Sequence, residues 1–217
     1  MSERDVKGKR QYDNTARAKQ AGATRHRILE AAYQLIITNG YAGTTIKAVA
    51  AEAGVSAETV YKAFGTKAKL VKDVYDVTLS GDEESVPMVE RPEFQALIAE
   101  PSARGKLVHY AAVCRMVSSR LGLLLDVLLS GAKGGDPDLR EFAETIKQER
   151  LLGATAIVRQ VLQTGGARAG LDADRARDLI WTLNSPEVYQ LLCRERGWTD
   201  DEYEDWLAGS FIAALIG

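Results

Sequence analysis

The side chains that could do chemistry are concentrated between residues 44 and 67, a segment that holds threonines, a serine, a tyrosine and three lysines. Within it, Ala57, Glu58 and Thr59 follow Ser56, a residue type that often caps the start of a helix. In a helix that enters a major groove, residues near the N-terminus face the base edges. Ala57 offers an apolar contact, Glu58 can accept a hydrogen bond from cytosine, and Thr59 can do either. Glu58 has a second interpretation, since a negative charge also stabilises a helix N-terminus.

Two short helices around a tight turn must position these side chains. Thr45 is a good N-cap for the first helix, and Gly54 can adopt the left-handed conformation that ends it. Ser56 caps the second helix, whose inner face is Val60 and Phe64. Two helices joined by a short turn with Gly form a helix-turn-helix, whose second helix reads DNA.

The order and spacing of these residues resemble the TetR family of bacterial transcriptional regulators. The resemblance covers about residues 24 to 75, and one position departs from the family pattern, because Ala63 stands where the family often has His. The matching motifs are Gly54-Val55-Ser56, Thr59-Val60-Tyr61 and Phe64-Gly65-Thr66-Lys67, preceded by Ile28-Leu29-Glu30-Ala31-Ala32, Asn39-Gly40-Tyr41 and Thr44-Thr45.

Contacts with the phosphate backbone are expected from the same segment. The resemblance implies that the Tyr61 hydroxyl and the Lys67 ammonium bind phosphate oxygens, and Lys62 lies beside them; such contacts set position rather than sequence. Tyr61 has the alternative role of a core aromatic packed between helices. Thr45 can bind phosphate through its hydroxyl or the backbone N–H groups at the helix start, and Lys47 is close enough to assist.

Charge is distributed unevenly along the 217 residues. Residues 1 to 80 hold 13 Lys and Arg against 8 Asp and Glu, and the remainder holds 15 against 22. A basic N-terminal part on an acidic body suits a protein of which one part meets phosphate. The two cysteines, Cys114 and Cys193, indicate neither a disulfide framework nor a metal site. No apolar run approaches membrane-spanning length and no secretory signal is present. The cysteine usage predicts a protein of the reducing cytoplasm.

Helical periodicity runs throughout the chain, and no strand pattern competes with it. The sequence predicts an all-α protein with an N-terminal three-helix helix-turn-helix headpiece and a larger C-terminal helical domain. The resemblance implies that this larger domain serves ligand binding and dimerisation. We expect a disordered basic arm over residues 1 to 23, a DNA-binding domain over 24 to 80 and the body over 81 to 217. The basic arm either follows DNA or serves only as a solvated tail.

The body has no sequence signature of catalysis: no nucleophile elbow, no phosphate-cradling glycine loop and no zinc-binding His-Glu-x-x-His. We therefore predict no enzyme activity and no cofactor. The resemblance implies that such a body holds a small-molecule pocket. Candidate pocket residues add a polar or aromatic group to an apolar helix face, and they are Tyr110, Cys114, Arg115, Met116, Arg120, Phe142, Trp181, Asn184 and Tyr189.

The resemblance also implies a homodimer paired through the last two long helices. The alternative is that this apolar face packs wholly inside its own subunit. The residues predicted for the dimer interface form apolar stripes on these helices, and they are Leu183, Val188, Leu191, Trp206, Leu207, Phe211, Ile212 and Leu215.

Together these features predict a homodimeric repressor that binds a palindromic double-stranded DNA operator and leaves it when a small-molecule effector enters the body. Two alternatives remain at this point. One is a regulator without a ligand, or an activator. The other is a helical enzyme or interaction module that retains a helix-turn-helix.

Overall fold

The computed structural model describes the backbone of residues 3–84 and 86–216, and the side chains of residue 17 and of residues 19–84 and 86–216. Over this part of the chain there are helices and turns and no strand, which confirms the all-α prediction. None of the described helices combines the length and the apolar character needed to cross a membrane. The fold divides into two compact units between Val77 and Thr78, whereas the sequence placed the boundary after residue 80.

The N-terminal unit is built from helices α1 (Glu3–Gly43), α2 (Ile46–Glu52), α3 (Ala57–Phe64) and most of α4 (Lys67–Ser80). Each helix contributes one apolar face to a shared core. The most deeply buried side chains of that core are Ile28, Ala32, Ile36, Val49, Val60, Leu70, Val71 and Val74. This core holds α2 and α3 in place and leaves their outer faces to solvent.

Helix α1 differs from the expectation, because it begins at Glu3 and takes in most of the segment predicted to be disordered. No proline precedes residue 87, and adding a residue to an existing helix is far less costly than nucleating a new one. A kink interrupts the helix at Gly40, where φ is 70°. The side chains of Lys7, Lys9 and Arg10, which belong to the predicted basic arm, lie outside the described residues.

The second unit forms the body. A short 3-10 turn (Met88–Glu90) precedes α5 (Pro92–Ala99), and the long helices α6 (Ala103–Lys133) and α7 (Pro137–Gln163) follow. Next come α8 (Ala173–Leu183), α9 (Pro186–Tyr189), a π-helical turn (Gln190–Glu195) and α10 (Asp200–Leu215). Side chains cap the starts of α6, α7, α8, α9 and α10, through Ser102, Asp136, Asp172, Ser185 and Thr199.

The centre of the body lies among α6, α7, α8 and α10. Leu107, Ala111, Ile157, Val161 and Ile180 are almost completely buried there. Helix α6 continues without a break through Gly122. A Cβ on residue 122 would lie 3.1 Å from the Tyr189 ring, so a larger residue there would require that ring to shift.

Candidate nucleic-acid interface and effector site

The start of α3 has the geometry expected of a recognition helix. The Ser56 hydroxyl accepts a hydrogen bond from the Thr59 backbone N–H at 3.1 Å and lies 2.9 Å from the Thr59 hydroxyl. Val60 and Phe64 face the core, so the N-terminal side chains point outward. Glu58 is exposed, while Ala57 and Thr59 are half-buried. The turn before α3 depends on Gly54, whose φ of 66° suits a residue without a side chain.

Tyr61 lies on the outer face of α3 with 56% of its surface exposed. The alternative role in the core is therefore wrong for this tyrosine, since Val60 and Phe64 occupy the inner face. Lys62 follows and is also exposed. A phenolic hydroxyl and an ammonium on consecutive residues of α3 are thus both in solvent, and both can donate hydrogen bonds to an anion.

Lys67, at the start of α4, contacts the end of α1. Its ammonium lies 3.6 Å from the centre of the Tyr41 ring and donates a hydrogen bond to the Tyr41 carbonyl. At the start of α2, the Thr45 hydroxyl accepts from the Ala48 backbone N–H at 3.1 Å, so its predicted role as a cap is confirmed. Lys47, two residues after that cap, is exposed.

A charged cluster that the sequence did not reveal supports α3 from behind. The Arg25 guanidinium donates to the Asp73 carboxylate at 2.7 Å and stacks 4.7 Å from the centre of the Phe64 ring. Lys69 forms a second ion pair with Asp73. Burial alone would raise the pKa of Asp73, but the hydrogen bonds from Lys69 and Arg25 outweigh it and hold that pKa below its usual value. Residues 25 and 73 are too distant in sequence for any local pattern to pair them.

Comparison with known proteins identifies this headpiece. Residues 28–74 match the family model described as bacterial regulatory proteins, tetR family. The match covers α2, α3 and the buried faces of α1 and α4 that hold them. The headpiece is therefore of the TetR type. The family is one of regulators and not of enzymes.

The resemblance extends beyond the headpiece. The chain is 28% identical over 193 residues to the uncharacterized HTH-type transcriptional regulator YdeS of Bacillus subtilis (strain 168), covering 89% of the chain and 86% of that protein. FadR from Bacillus subtilis, solved with stearoyl-CoA, superposes with a TM-score of 0.67 at 21% identity, covering 87% of this chain and 98% of that one. SmeT, solved with triclosan, gives a TM-score of 0.69 at 20% identity, covering 90% and 92%. At these identities the solved structures show the fold.

Four of the predicted effector residues of the regulator come together around one buried polar cluster. Asn184 donates from its amide to the Tyr110 hydroxyl at 3.2 Å and to the Cys114 sulfur at 3.7 Å. Arg150 donates to the Asn184 side-chain oxygen at 3.1 Å and to the Trp181 carbonyl. Residues from α6, α7 and the end of α8 therefore meet in the middle of the body.

The other predicted effector residues lie elsewhere in the body. Arg115 pairs with Asp201 at 2.9 Å on a part-exposed surface, and Arg120 donates to the carbonyls of Leu79 and Ser80 at 3.0 Å each. Tyr189 is buried and donates its hydroxyl to Asp200 at 2.7 Å. For these three the structure gives structural roles that the sequence did not predict. Met116 and Phe142 are half-buried.

Sequence reasoning missed two members of the polar cluster, Arg150 and Tyr203. Arg150 stands four residues after Ile146 and four before Ala154, both buried, so it interrupts the apolar stripe of α7. That interruption was the signal available in the sequence. Tyr203 is completely buried, and its hydroxyl makes no hydrogen bond of normal geometry, although Ser118 is close. Among the described residues, no group of metal-ligating side chains accompanies the cluster.

The predicted dimer surface needs correction. Leu207, Phe211 and Leu215 are 0% exposed and pack into the core of their own body. They cannot also form a surface that a second subunit touches. The apolar stripe of α10 serves its own subunit, because α10 packs directly on α6. Leu183, Val188, Trp206 and Ile212 are half-buried at the edge of that core, and Leu191 is 52% exposed.

Proposed function

We propose that this TetR-family regulator is a cytoplasmic homodimeric repressor that binds a palindromic operator and releases it when a small molecule enters the body. Two arrangements support the proposal. One is the outward-facing chemistry of α3, and the other is the polar cluster inside the body. The first accounts for binding to DNA and the second for release.

The outer face of α3 carries the proposal. A tyrosine with 56% of its surface in solvent gains little from burial in its own subunit. Its neighbour Lys62 is also exposed, and Ser56 fixes the start of the helix. Phosphate contacts from Tyr61, Lys62, Lys47 and Lys67 would set the position of the headpiece, and Ala57, Glu58 and Thr59 would then contact base edges.

Release requires a ligand that binds one conformation of the dimer better than the other. Such a ligand would favour a dimer whose recognition helices no longer match successive major grooves. The solved relatives FadR and SmeT carry different ligands, stearoyl-CoA and triclosan. This variety supports a ligand-binding role for the body. The chemistry of the ligand must therefore be inferred from the side chains of this chain.

Pairing of two subunits would use exposed apolar side chains of the body. Leu179 on α8 is 46% exposed and Leu191 on the π-helical turn is 52% exposed. Both belong to the last third of the chain, where the sequence predicted the interface. Burial of a large apolar side chain between subunits stabilises a dimer by about 1.5–3 kcal/mol.

The test is a titration of labelled duplexes from the DNA flanking the gene, followed by fluorescence anisotropy at several salt concentrations. A repressor should bind one palindromic duplex more tightly than a shuffled duplex. A plot of the logarithm of the binding constant against the logarithm of salt concentration should have a slope, the salt slope, of about −0.9 per phosphate contact. In transcription reactions from the same promoter, the protein should reduce transcript yield.

Tyr61→Phe removes only the hydroxyl and should weaken binding to both duplexes alike. Lys62→Ala should likewise weaken binding to both duplexes. Its matched control is Lys133→Ala, because Lys133 belongs to the body and its side chain is 74% exposed. Equal affinity for the palindromic and shuffled duplexes would contradict sequence-specific regulation. Increased transcript yield would identify an activator instead.

A further inference from the structure

Arg150 places a positive charge inside the body. It projects from the buried face of α7, between Ile146 and Ala154, and its Nε atom is fully buried without a hydrogen-bond partner. Its guanidinium carbon lies 5.0 Å from the centre of the Trp181 ring. Burial lowers the pKa of Arg150, yet arginine remains protonated in proteins. A full charge is therefore held at the edge of an apolar core.

The hydrogen-bond partners of this charge are neutral. They are the Trp181 carbonyl and the side-chain oxygen of Asn184. Among the described carboxylates, Glu187 is the one whose charge acts on Arg150 most strongly, but it forms an ion pair with Lys133 instead. No described carboxylate forms an ion pair with Arg150.

The polar side chains around Arg150 cannot neutralise it either. Burial raises the pKa of the Cys114 thiol to about 12 and raises that of the Tyr110 hydroxyl well above its usual value. Burial likewise raises the pKa of Tyr203. All three groups stay protonated at neutral pH. The cluster as a whole therefore carries a single unbalanced positive charge.

A buried charge without a counter-ion destabilises a fold unless a partner arrives. The planar guanidinium fits one partner best, a carboxylate, which it can bind through two parallel hydrogen bonds. We propose that the effector of this regulator is a small carboxylic acid whose carboxylate pairs with Arg150 and whose apolar remainder lies among the neighbouring core side chains. This inference rests on the ligand-released repressor proposed above.

The surroundings of the cluster suit the apolar remainder. The Tyr110 ring lies 5.7 Å from the Phe211 ring, centre to centre, and Ala154 and Ile157 are buried on α7. Gly153 faces the Tyr110 hydroxyl, where a Cβ would come within 3.2 Å of the oxygen. A side chain at 153 would therefore crowd that hydroxyl.

Arg150 also has a structural role, because the Trp181 carbonyl belongs to the last turn of α8 and a cation there stabilises a helix C-terminus. A purely structural arginine would show no preference among ligands of different charge. The test must therefore measure that preference and not stability alone.

Binding to the full-length protein is measured by isothermal titration calorimetry with two matched series. One is hexanoate, 1-hexanol and hexylammonium, and the other is 3-phenylpropanoate, 3-phenyl-1-propanol and 3-phenylpropylammonium. We expect at least one carboxylate to bind about 10- to 100-fold more tightly than its matched alcohol and amine, as a charge-assisted hydrogen bond provides. Arg150→Gln should remove this preference, whereas Arg159→Gln, an exposed arginine on the same helix, should retain it.

Tyr203→Phe provides a second variant in case Arg150→Gln unfolds. It should keep the melting temperature, because the hydroxyl it removes makes no hydrogen bond of normal geometry, and should weaken carboxylate binding. If neither carboxylate is preferred over its matched probes, or if the preference survives Arg150→Gln, the proposal is overturned. Operator affinity is measured in parallel without probes. If the protein without probes shows no sequence-specific operator binding, the proposed repressor function is overturned. If it binds the operator but shows no preference for carboxylates, only the proposed ligand class is overturned.

Discussion

Lys67 lies with its ammonium 3.6 Å from the centre of the Tyr41 ring and bonds to the carbonyl of the same residue. The lysine that the TetR-family resemblance assigns to phosphate thus also holds the end of α1 by contacting Tyr41. One side chain can serve both purposes, since an ammonium has three hydrogens to donate. If Lys67 binds phosphate as the resemblance implies, the contact with Tyr41 also fixes the position of that charge.

Lys67→Ala should lower both stability and affinity. Operator binding should weaken on every DNA sequence, the salt slope should fall by about one unit, and the melting temperature should drop. Lys62→Ala is the matched comparison, because Lys62 is exposed. It should change the slope and leave the melting temperature unchanged. An unaltered slope for Lys67→Ala would remove Lys67 from the interface.

Thr59→Ala should change which DNA sequence is preferred. The Thr59 backbone N–H, which bonds to Ser56, is kept, so the cap and the helix survive. A lost base contact costs roughly 1–3 kcal/mol at one base pair. The measurement is selection of bound duplexes from a randomised pool, with wild type alongside. Identical selected sequences would show that Thr59 reads no base.

Asp73 should make the stability of the headpiece depend on acid. Its pKa is below the usual value in the folded protein, so its contribution is fully present above the unfolded pKa of about 3.9. That contribution is lost as the pH falls through the folded pKa. Asp73→Asn should therefore cost roughly 1–3 kcal/mol at pH 7 and progressively less below about pH 4. Urea unfolding at pH 7 and pH 3 provides the comparison, and an equal cost at both would contradict this role.

The headpiece was predictable because its signals are local. Thr45 and Ser56 cap helices three residues from the N–H groups they bind, and Gly54 has the conformation that its turn requires. Within the body, residues on four different helices determine the polar cluster. Periodicity predicted that Tyr110 and Asn184 lie on apolar helices but could not show that they bond to each other, because they are 74 positions apart in the sequence.

The error at the dimer surface has a physical cause. An apolar stripe at helical spacing indicates that a face is buried and does not indicate by what. Phe211 and Leu207 belong to that stripe, and they are buried by packing inside their own subunit. Exposed leucines such as Leu179 follow no such repeat, so only the structure shows that they are candidates for the dimer interface.

Leu179→Asp and Leu191→Asp should together give monomers that remain folded. Both side chains are about half exposed in the single subunit, so a charge there costs little until a second copy arrives. Phe211→Asp should instead unfold the body, because that ring is 0% exposed. Sedimentation at micromolar concentration and circular dichroism distinguish the two outcomes. A double variant that still sediments as a dimer would place the interface on another face.

Lys106 should stabilise the body without taking part in the binding of DNA or of an effector. It is 7% exposed and donates to the carbonyls of Leu97 and Ile98, at the end of α5, and to Gln160 on α7, all at 3.1 Å. Lys106→Met would leave these acceptors unpaired at a cost of about 1–3 kcal/mol each. Lys133→Met, an exposed change on the same helix, should cost almost nothing. Equal melting temperatures for the two variants would contradict the prediction.

The π-helical turn at Gln190–Glu195 determines where the chain can change length. A π turn closes its hydrogen bonds one residue later than an α turn, so it can lose one residue, such as the exposed Leu191, by reverting to α geometry. A single deletion within α6 would instead rotate the rest of that helix by about 100° and carry buried side chains such as Leu124 outward. Natural variants of this regulator should therefore gain or lose single residues at the turn and keep α6 at a constant length.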